Sequence, residues 1–251
     1  MSMFVITESL PRESRGTLKP KVAPPELSAP NGYGPAKVAL DFCFALFLLV
    51  FTAPLVLLAM ILIRLTSPGP AMYTQTRLGR FGIPFTIYKL RTMTHDCESL
   101  TGAQWSKPGD GRVTRLGLWL RKTHIDELPQ LWNVLRGDMS LIGPRPERPE
   151  FLPQLEQAIA FYRQRLQVRP GITGFAQIQL PPDSDFDSVR IKLAYDLHYL
   201  CNCSLLFDVA IYLGTLFKLV GFTYETIRPL CWFPTRDVVE GEYQKLSGVA
   251  K

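Results

Sequence analysis

The stretch FCFALFLLVFTAPLVLLAMILI, Phe42 to Ile63, decides how the rest of the chain is read. It carries no charged residue, and about 22 apolar-rich positions at roughly 1.5 Å each suffice to span a bilayer. Pro54 sits near its middle, where it has no N–H to give the helix and crowds the preceding turn, so a kink is predicted there. Thr52 is placed to cap the freed carbonyls. Cations flank both ends: Arg12, Arg15, Lys19, Lys21 and Lys37 before, then Arg64, Arg77, Arg80, Lys89 and Arg91 after. Positive flanks collect on the cytoplasmic side. With both flanks positive, the expected form is a re-entrant membrane helix hairpin over 37–65, kinked at Pro54, and a straight single-pass anchor is the alternative.

Before this segment, residues 1–36 hold six prolines, mixed charges and few large apolar groups, the composition of a flexible tail that buries too little to offset its ordering entropy. The charged, Pro-rich stretch is unlike a signal peptide, so retention of the tail is expected. After it, Ser67-Pro68-Gly69-Pro70 marks a turn and Phe85 to Arg91 alternates like a short strand. Helical patterns follow at about 113–122, 126–136, 150–167 and 186–200. Across 205–221, Leu205, Leu206, Val209, Tyr212, Leu213, Leu216, Phe217 and Val220 form an apolar stripe at helical spacing, suited to a core or to a membrane surface. The fold class expected is α+β, mostly helical, with the re-entrant helix joined to a small membrane-surface-associated domain with amphipathic helices over 66–222 and a C-terminal extension over 223–251.

Lys and Arg total 28 against 22 Asp and Glu, a formal charge of +6 that suits phosphates or acidic lipid headgroups. No recognition helix, zinc spacing or aromatic-basic repeat accompanies that charge, so no nucleic acid partner is expected. The five cysteines have neither metal-site spacing nor the density of a disulfide scaffold, which fits reduced thiols on a cytoplasmic side.

The densest chemical constellation runs from Arg121 to Leu131, RKTHIDELPQL. Pro129 is tolerated only in the first helical turn, so a helix is predicted to open near Ile125 or Asp126 and to run through Leu135. That places Asp126 and Glu127 at a helix N-terminus, which favours negative charge, including a phosphate. Acidic first-turn residues often do no more than stabilise a helix start. Here Arg112, Arg115, Arg121 and Lys122 precede the pair, and Arg136, Arg145 and Arg148 follow. Prolines hold Arg145 in Gly143-Pro144-Arg145-Pro146 and Arg169 in Arg169-Pro170-Gly171, which suits guanidinium recognition of phosphate.

Together with Gln75 to Gly79, Lys89 to Met93, Asp126 to Leu131, Arg136 to Ser140, Gly143 to Pro146 and Arg169 to Gln177, the order of these motifs over about 37–222 resembles the bacterial sugar transferase family. These are the monotopic polyprenyl-phosphate phosphoglycosyl transferases. The resemblance implies that 66–222 is a catalytic domain moving a sugar 1-phosphate from a UDP-sugar to polyprenyl (undecaprenyl) phosphate, with UMP released, as a first step of surface glycan assembly. It implies that Asp126 is the nucleophile, that Glu127 holds magnesium, and that Lys89, Arg121 and Arg145 contact phosphates; Arg91 and Arg169 are further candidates for substrate binding. Asp196 matches an acidic position that would orient the acceptor phosphate or neighbouring arginines, and Pro54 matches a helix-breaking proline. The expected location is the bacterial inner membrane, with the catalytic domain on the cytoplasmic face of the phospholipid bilayer; an oligomer is compatible with this.

Gln177 is followed by Ile178-Gln179-Leu180 rather than by an arginine-bearing segment, so a phosphate contact would have to come from Arg190, Lys192 or elsewhere. Two competing readings are a metal-dependent glycosyltransferase using Asp183-Ser184-Asp185 and a non-catalytic membrane-tethered scaffold. His124, two positions before Asp126, and Cys201-Asn202-Cys203 are read as bystanders.

Overall fold

The computed structural model describes residues 33–97, 109–181 and 185–247. The expected tail up to residue 32 and most of the Asp183 to Asp185 triplet lie outside them.

Helix α1 (Tyr33–Thr66) runs as one helix with Pro54 inside it. Proline has no N–H for the carbonyl of Val50. Thr52 Oγ1 donates instead to Leu48 O at 2.7 Å, so it back-bonds its own turn rather than capping the carbonyl that Pro54 frees. Among the described residues α1 is the helix long and apolar enough to cross a membrane. Its small residues Ala45 and Ala59, with Ile63, face inward, while Phe47, Val50, Phe51, Leu57, Leu58, Ile61 and Leu65 are exposed. The helix therefore meets the rest of the protein along a narrow seam.

An antiparallel hairpin of β1 (Met72–Leu78) and β2 (Pro84–Leu90), in register from Met72 opposite Leu90 to Leu78 opposite Pro84, lies over this seam. Helices α2 (Arg115–Lys122) and α3 (Gln130–Arg136) complete the layer. Ala45, Ile87, Leu131, Val134 and Met139 form one apolar cluster, and Ala59, Ile63, Leu90, Leu120 and Ile125 a second. Two short parallel strands follow, β3 (Ser140–Ile142) and, after α4 (Leu152–Ala158), β4 (Gly171–Thr173), with Ser140 opposite Gly171. Here backbones nearly touch: a Cβ on Gly171 would stand 2.1 Å from Gly143 N. Only glycine allows that approach.

The remaining helices are α5 (Phe175–Gln179), α6 (Phe186–Asn202), α7 (Leu205–Leu219), α8 (Tyr224–Leu230) and α9 (Arg236–Ser247). They share a core built on Phe175, Leu193, Tyr195, Leu197 and Ile211, to which α8 and α9 contribute Ile227, Val239 and Tyr243. Residues 223–247 thus pack into the same core as α6 and α7. The apolar stripe on α7 splits between two surroundings. Tyr212 and Phe217 pack against the core, whereas Leu206, Val209, Leu213, Leu216 and Val220 are exposed.

A polar clamp joins α1 to this body. Lys37 Nζ donates to Asp208 Oδ2 of α7 at 2.9 Å, and Ser140 Oγ of β3 donates to Asp41 Oδ2 of α1 at 2.6 Å. Tyr199 OH of α6 holds the other Asp208 oxygen at 2.8 Å.

Candidate active site

The predicted helix through Asp126 breaks in two. His124 takes a left-handed conformation with φ 57°, a tight 3-10 turn covers Ile125–Glu127, and α3 begins only after Pro129. A side chain with a Cβ is strained at such a φ, a cost often found at functional sites. Consequently Asp126 and Glu127 stand on a turn ahead of α3 rather than inside its first turn.

Glu127 receives two cations. Lys89 Nζ, from β2, lies 2.8 Å from Glu127 Oε1, and Arg145 Nη2, from the loop after β3, lies 3.0 Å from the same oxygen. Burial alone would raise this carboxyl, but the ammonium and guanidinium beside it hold it far below the usual carboxylate range. Glu127 Oε2 has no hydrogen-bond partner among the described residues and is not sealed from solvent.

Asp126 is treated differently. It is 7% exposed, and among the described residues nothing hydrogen-bonds or ion-pairs with its carboxylate. Burial, then the charge of Glu127, pushes its carboxyl up to about 6 against the opposing pull of Lys89, Arg121 and Arg145. Neighbouring carboxylates whose environments drive their proton affinities apart have different chemical roles. One is a fixed anion; the other is a desolvated carboxylate, still mostly ionised at neutral pH.

Arg145 is gripped on both sides. Its carbonyl accepts from Arg165 Nη2 at 3.0 Å, and the next carbonyl, Pro146 O, accepts from Arg77 Nη1 at 3.1 Å. Arg145 Nη1 donates to Gln177 Oε1 at 3.1 Å. Arg121 Nε donates to Thr92 Oγ1 at 2.9 Å, an arrangement allowed because Gly117 on α2 presses against Thr92 O, where a Cβ would stand at 2.0 Å.

Of the expected phosphate or substrate contacts, Arg91 and Asp196 are engaged elsewhere and Arg169 lies away from the acidic turn. Arg91 is buried and donates to Pro68 O at 2.6 Å and Ser67 O at 2.8 Å, pinning the turn that ends α1. The guanidinium of Arg169 lies beside Gly137, at the opposite end of α3 from Glu127. Asp196, 3% exposed, accepts from Arg165 Nε at 3.0 Å and pairs with Nη2 at 2.8 Å. Asp196 therefore reaches the site through an arginine neighbour: Asp196 holds Arg165, and Arg165 holds the Arg145 backbone. Arg165 was missed in the sequence, where it reads as one charge of a helical pattern 31 positions from its partner.

No group of three or more His, Cys, Asp and Glu able to hold a metal occurs among the described residues. Magnesium is commonly held by one or two carboxylates plus substrate phosphates. The open Oε2 of Glu127 beside Asp126 fits that donor set. Of the glycosyltransferase alternative, Asp185 serves as the N-cap of α6, accepting from Ser188 N at 2.7 Å. All five cysteines are free.

Residues 33–221 match the family model described as bacterial sugar transferase. A putative undecaprenyl-phosphate N-acetylgalactosaminyl 1-phosphate transferase of Bacillus subtilis is 52% identical over 130 residues, 52% of this chain and 72% of that protein. A UDP-glucose:undecaprenyl-phosphate glucose-1-phosphate transferase of Caulobacter vibrioides is 46% identical over 181 residues, 71% of this chain and 67% of the relative. A UDP-N-acetylgalactosamine-undecaprenyl-phosphate N-acetylgalactosaminephosphotransferase of Aeromonas hydrophila is 46% identical over 184 residues, 73% of this chain; the chain spans only 43% of its length. These relatives are named as sugar-phosphate transferases, which sets the chain among enzymes rather than scaffolds. The chain is a member of the bacterial sugar transferase family.

Proposed function

We propose that the protein transfers a sugar 1-phosphate from a UDP-sugar to undecaprenyl phosphate in two half-reactions, through a phosphosugar bonded to Asp126. The observation that carries this reading is the Asp126 carboxylate: buried, without a hydrogen-bond or ion-pair partner among the described residues, and set between cations. An Asp126 oxygen attacks the β-phosphorus of the donor. The bond from that phosphorus to the bridging oxygen breaks, and UMP departs with the electron pair, leaving an acyl phosphate. An oxygen of the acceptor phosphate then attacks the same phosphorus, and Asp126 is released as carboxylate. Lys89 and Arg145, fixed on Glu127, present positive charge where the transferred phosphoryl group must lie. Glu127 Oε2 would hold a magnesium ion, which supplies neutralisation of the diphosphate.

The exposed apolar faces of α1 and α7 support seating of the domain against the cytoplasmic leaflet of the inner membrane, with Pro54 as the bend of a re-entrant anchor. Purified protein in lipid nanodiscs is incubated with magnesium and UDP-sugars radiolabelled in the sugar, without acceptor. Release of UMP with label retained on the denatured protein is expected, the label passing to lipid when undecaprenyl phosphate is added. Release of UDP instead of UMP, or full activity in Asp126→Asn, overturns the mechanism.

A further inference from the structure

Lys218, near the C-terminal end of α7, stands out among the cations that the acidic turn does not account for. It is half-buried, and among the described residues no carboxylate lies within ion-pair distance of it. Its ammonium donates to Gln177 O at 2.6 Å and sits 5.6 Å from the centroid of the Tyr224 ring. Both partners are neutral: they fix the ammonium without cancelling its charge.

Gln177 connects it to the site. The residue that accepts from Lys218 through its carbonyl accepts from Arg145 through its side chain at 3.1 Å, and Arg145 in turn bonds Glu127 at 3.0 Å. Lys218, Gln177, Arg145 and Glu127 form one bonded chain across α7, α5, the loop after β3 and the acidic turn. The charged surroundings of Lys218 are mostly cationic. Burial, then Lys192 of α6 and Arg145, depress its proton affinity, and only Glu127 opposes them. A partly desolvated ammonium gathered with like charges is an unfavourable arrangement for the empty protein, and an arriving anion relieves it.

We propose that Lys218 is a substrate-binding residue, its ammonium taking a phosphate oxygen on the Gln177 side of Arg145. The inference rests on the function proposed above and extends it to α7. It also gives a role to a residue beyond the family match at 33–221, because the ring that steadies the ammonium belongs to Tyr224. The bound group is a phosphate ester, which either the nucleotide diphosphate or the lipid phosphate supplies.

The test uses the full chain in nanodiscs, with Lys218→Gln, Lys218→Arg, Tyr224→Leu and, as a charge-matched control on the exposed side of α9, Lys245→Gln. Initial rates are measured with each substrate varied in turn, and equilibrium binding of UDP and of undecaprenyl phosphate is measured separately. Losing one charge-assisted phosphate contact raises one KM and the matching Kd about tenfold, with a smaller change in kcat. Lys218→Arg restores most of that loss, Tyr224→Leu shifts the same constant by about two- to threefold, and Lys245→Gln changes neither. An effect on UDP assigns the contact to the donor, and one on undecaprenyl phosphate to the acceptor. Both KM and both Kd values staying within about twofold of wild type in Lys218→Gln overturns the inference. A wild-type chain that binds these ligands yet transfers nothing overturns the proposed function instead, and the two Kd values still judge Lys218. Should Lys218→Gln fail to fold, unchanged binding in Tyr224→Leu counts against the inference.

Discussion

Two acid-base networks lie a few residues apart around Arg145, and they are built on opposite plans. Behind it, Arg165 is buried with Asp196 on two of its nitrogens, Tyr162 OH at 2.7 Å from Nη1 and the Arg145 carbonyl at 3.0 Å from Nη2. That network is closed. In front, Glu127 shares one oxygen between Lys89 and Arg145 and leaves the other open, and the Asp126 carboxylate has no partner among the described residues. The closed network holds a backbone in place; the open one keeps charge available for a substrate. Buried charges are costly unless fully paired, and the open network is where the proposed chemistry would draw on that cost.

Substitutions can break this contrast. On the proposed mechanism Asp126→Asn is expected to abolish sugar-phosphate transfer, a loss of about a thousandfold or more, since it takes away the proposed covalent nucleophile and with it the whole route. The same change should stabilise the fold. With a carboxyl near 3.8 unfolded and about 6 folded, the folded state loses stability as pH rises through that window. The neutral Asn escapes this loss, a gain on the order of 3 kcal/mol at pH 7. Chemical denaturation at pH 7 and at pH 4 checks it: the advantage should shrink at the lower pH.

The closed network predicts the reverse. Arg165→Met, which strands Asp196, should cost on the order of 3–5 kcal/mol of stability. Adding Asp196→Leu should recover part of it, and a double-mutant cycle in denaturant reads the coupling directly. Should activity fall in the double variant while stability returns, the network's grip on the Arg145 carbonyl is what the reaction needs.

Glu127→Gln releases Lys89 and Arg145 from a fixed charge and removes the proposed magnesium ligand. Its expected loss in kcat is about a hundredfold, with a raised magnesium requirement in UMP-release assays. The smallest effect is on pH dependence. Taking the assay from pH 7.5 to 5.5 should protonate most of Asp126 and slow the first half-reaction about fourfold. A pH-independent rate across that interval would argue that the carboxylate is not the nucleophile.

The sequence made some of this visible. Alternation between Phe85 and Arg91 located β2, and the apolar spacing over 186–200 located α6, because both periods are local. The pattern over 150–167 misled. Pro153 lies in the first turn of α4 rather than inside a longer helix, the extended Ile159 ends α4, and Phe161 at φ 64° precedes a separate 3-10 turn, so the stretch divides into three short pieces. Pro129 correctly announced a nearby helix start but could not show that His124 turns left-handed, which moves the two acids off the helix onto the turn before it. Lys89, Arg121 and Arg145 were selected by motif resemblance and do surround Asp126. Lys218 and Arg165 stayed hidden because their partners, Gln177 and Asp196, are 41 and 31 positions away. No local pattern encodes such pairings.

The polar clamp on α1 has a further consequence. Lys37 and Asp41 tie the start of the helix to Asp208 and Ser140, and Ile63 near its end lies in the cluster that includes Ile125, the residue before Asp126. A helix secured at both ends to the body it carries works as a fixed post. In the proposed membrane setting the acidic turn would then sit at one height above the lipid, and the protein would select its acceptor partly by depth: only a phosphate carried at that level could reach Asp126.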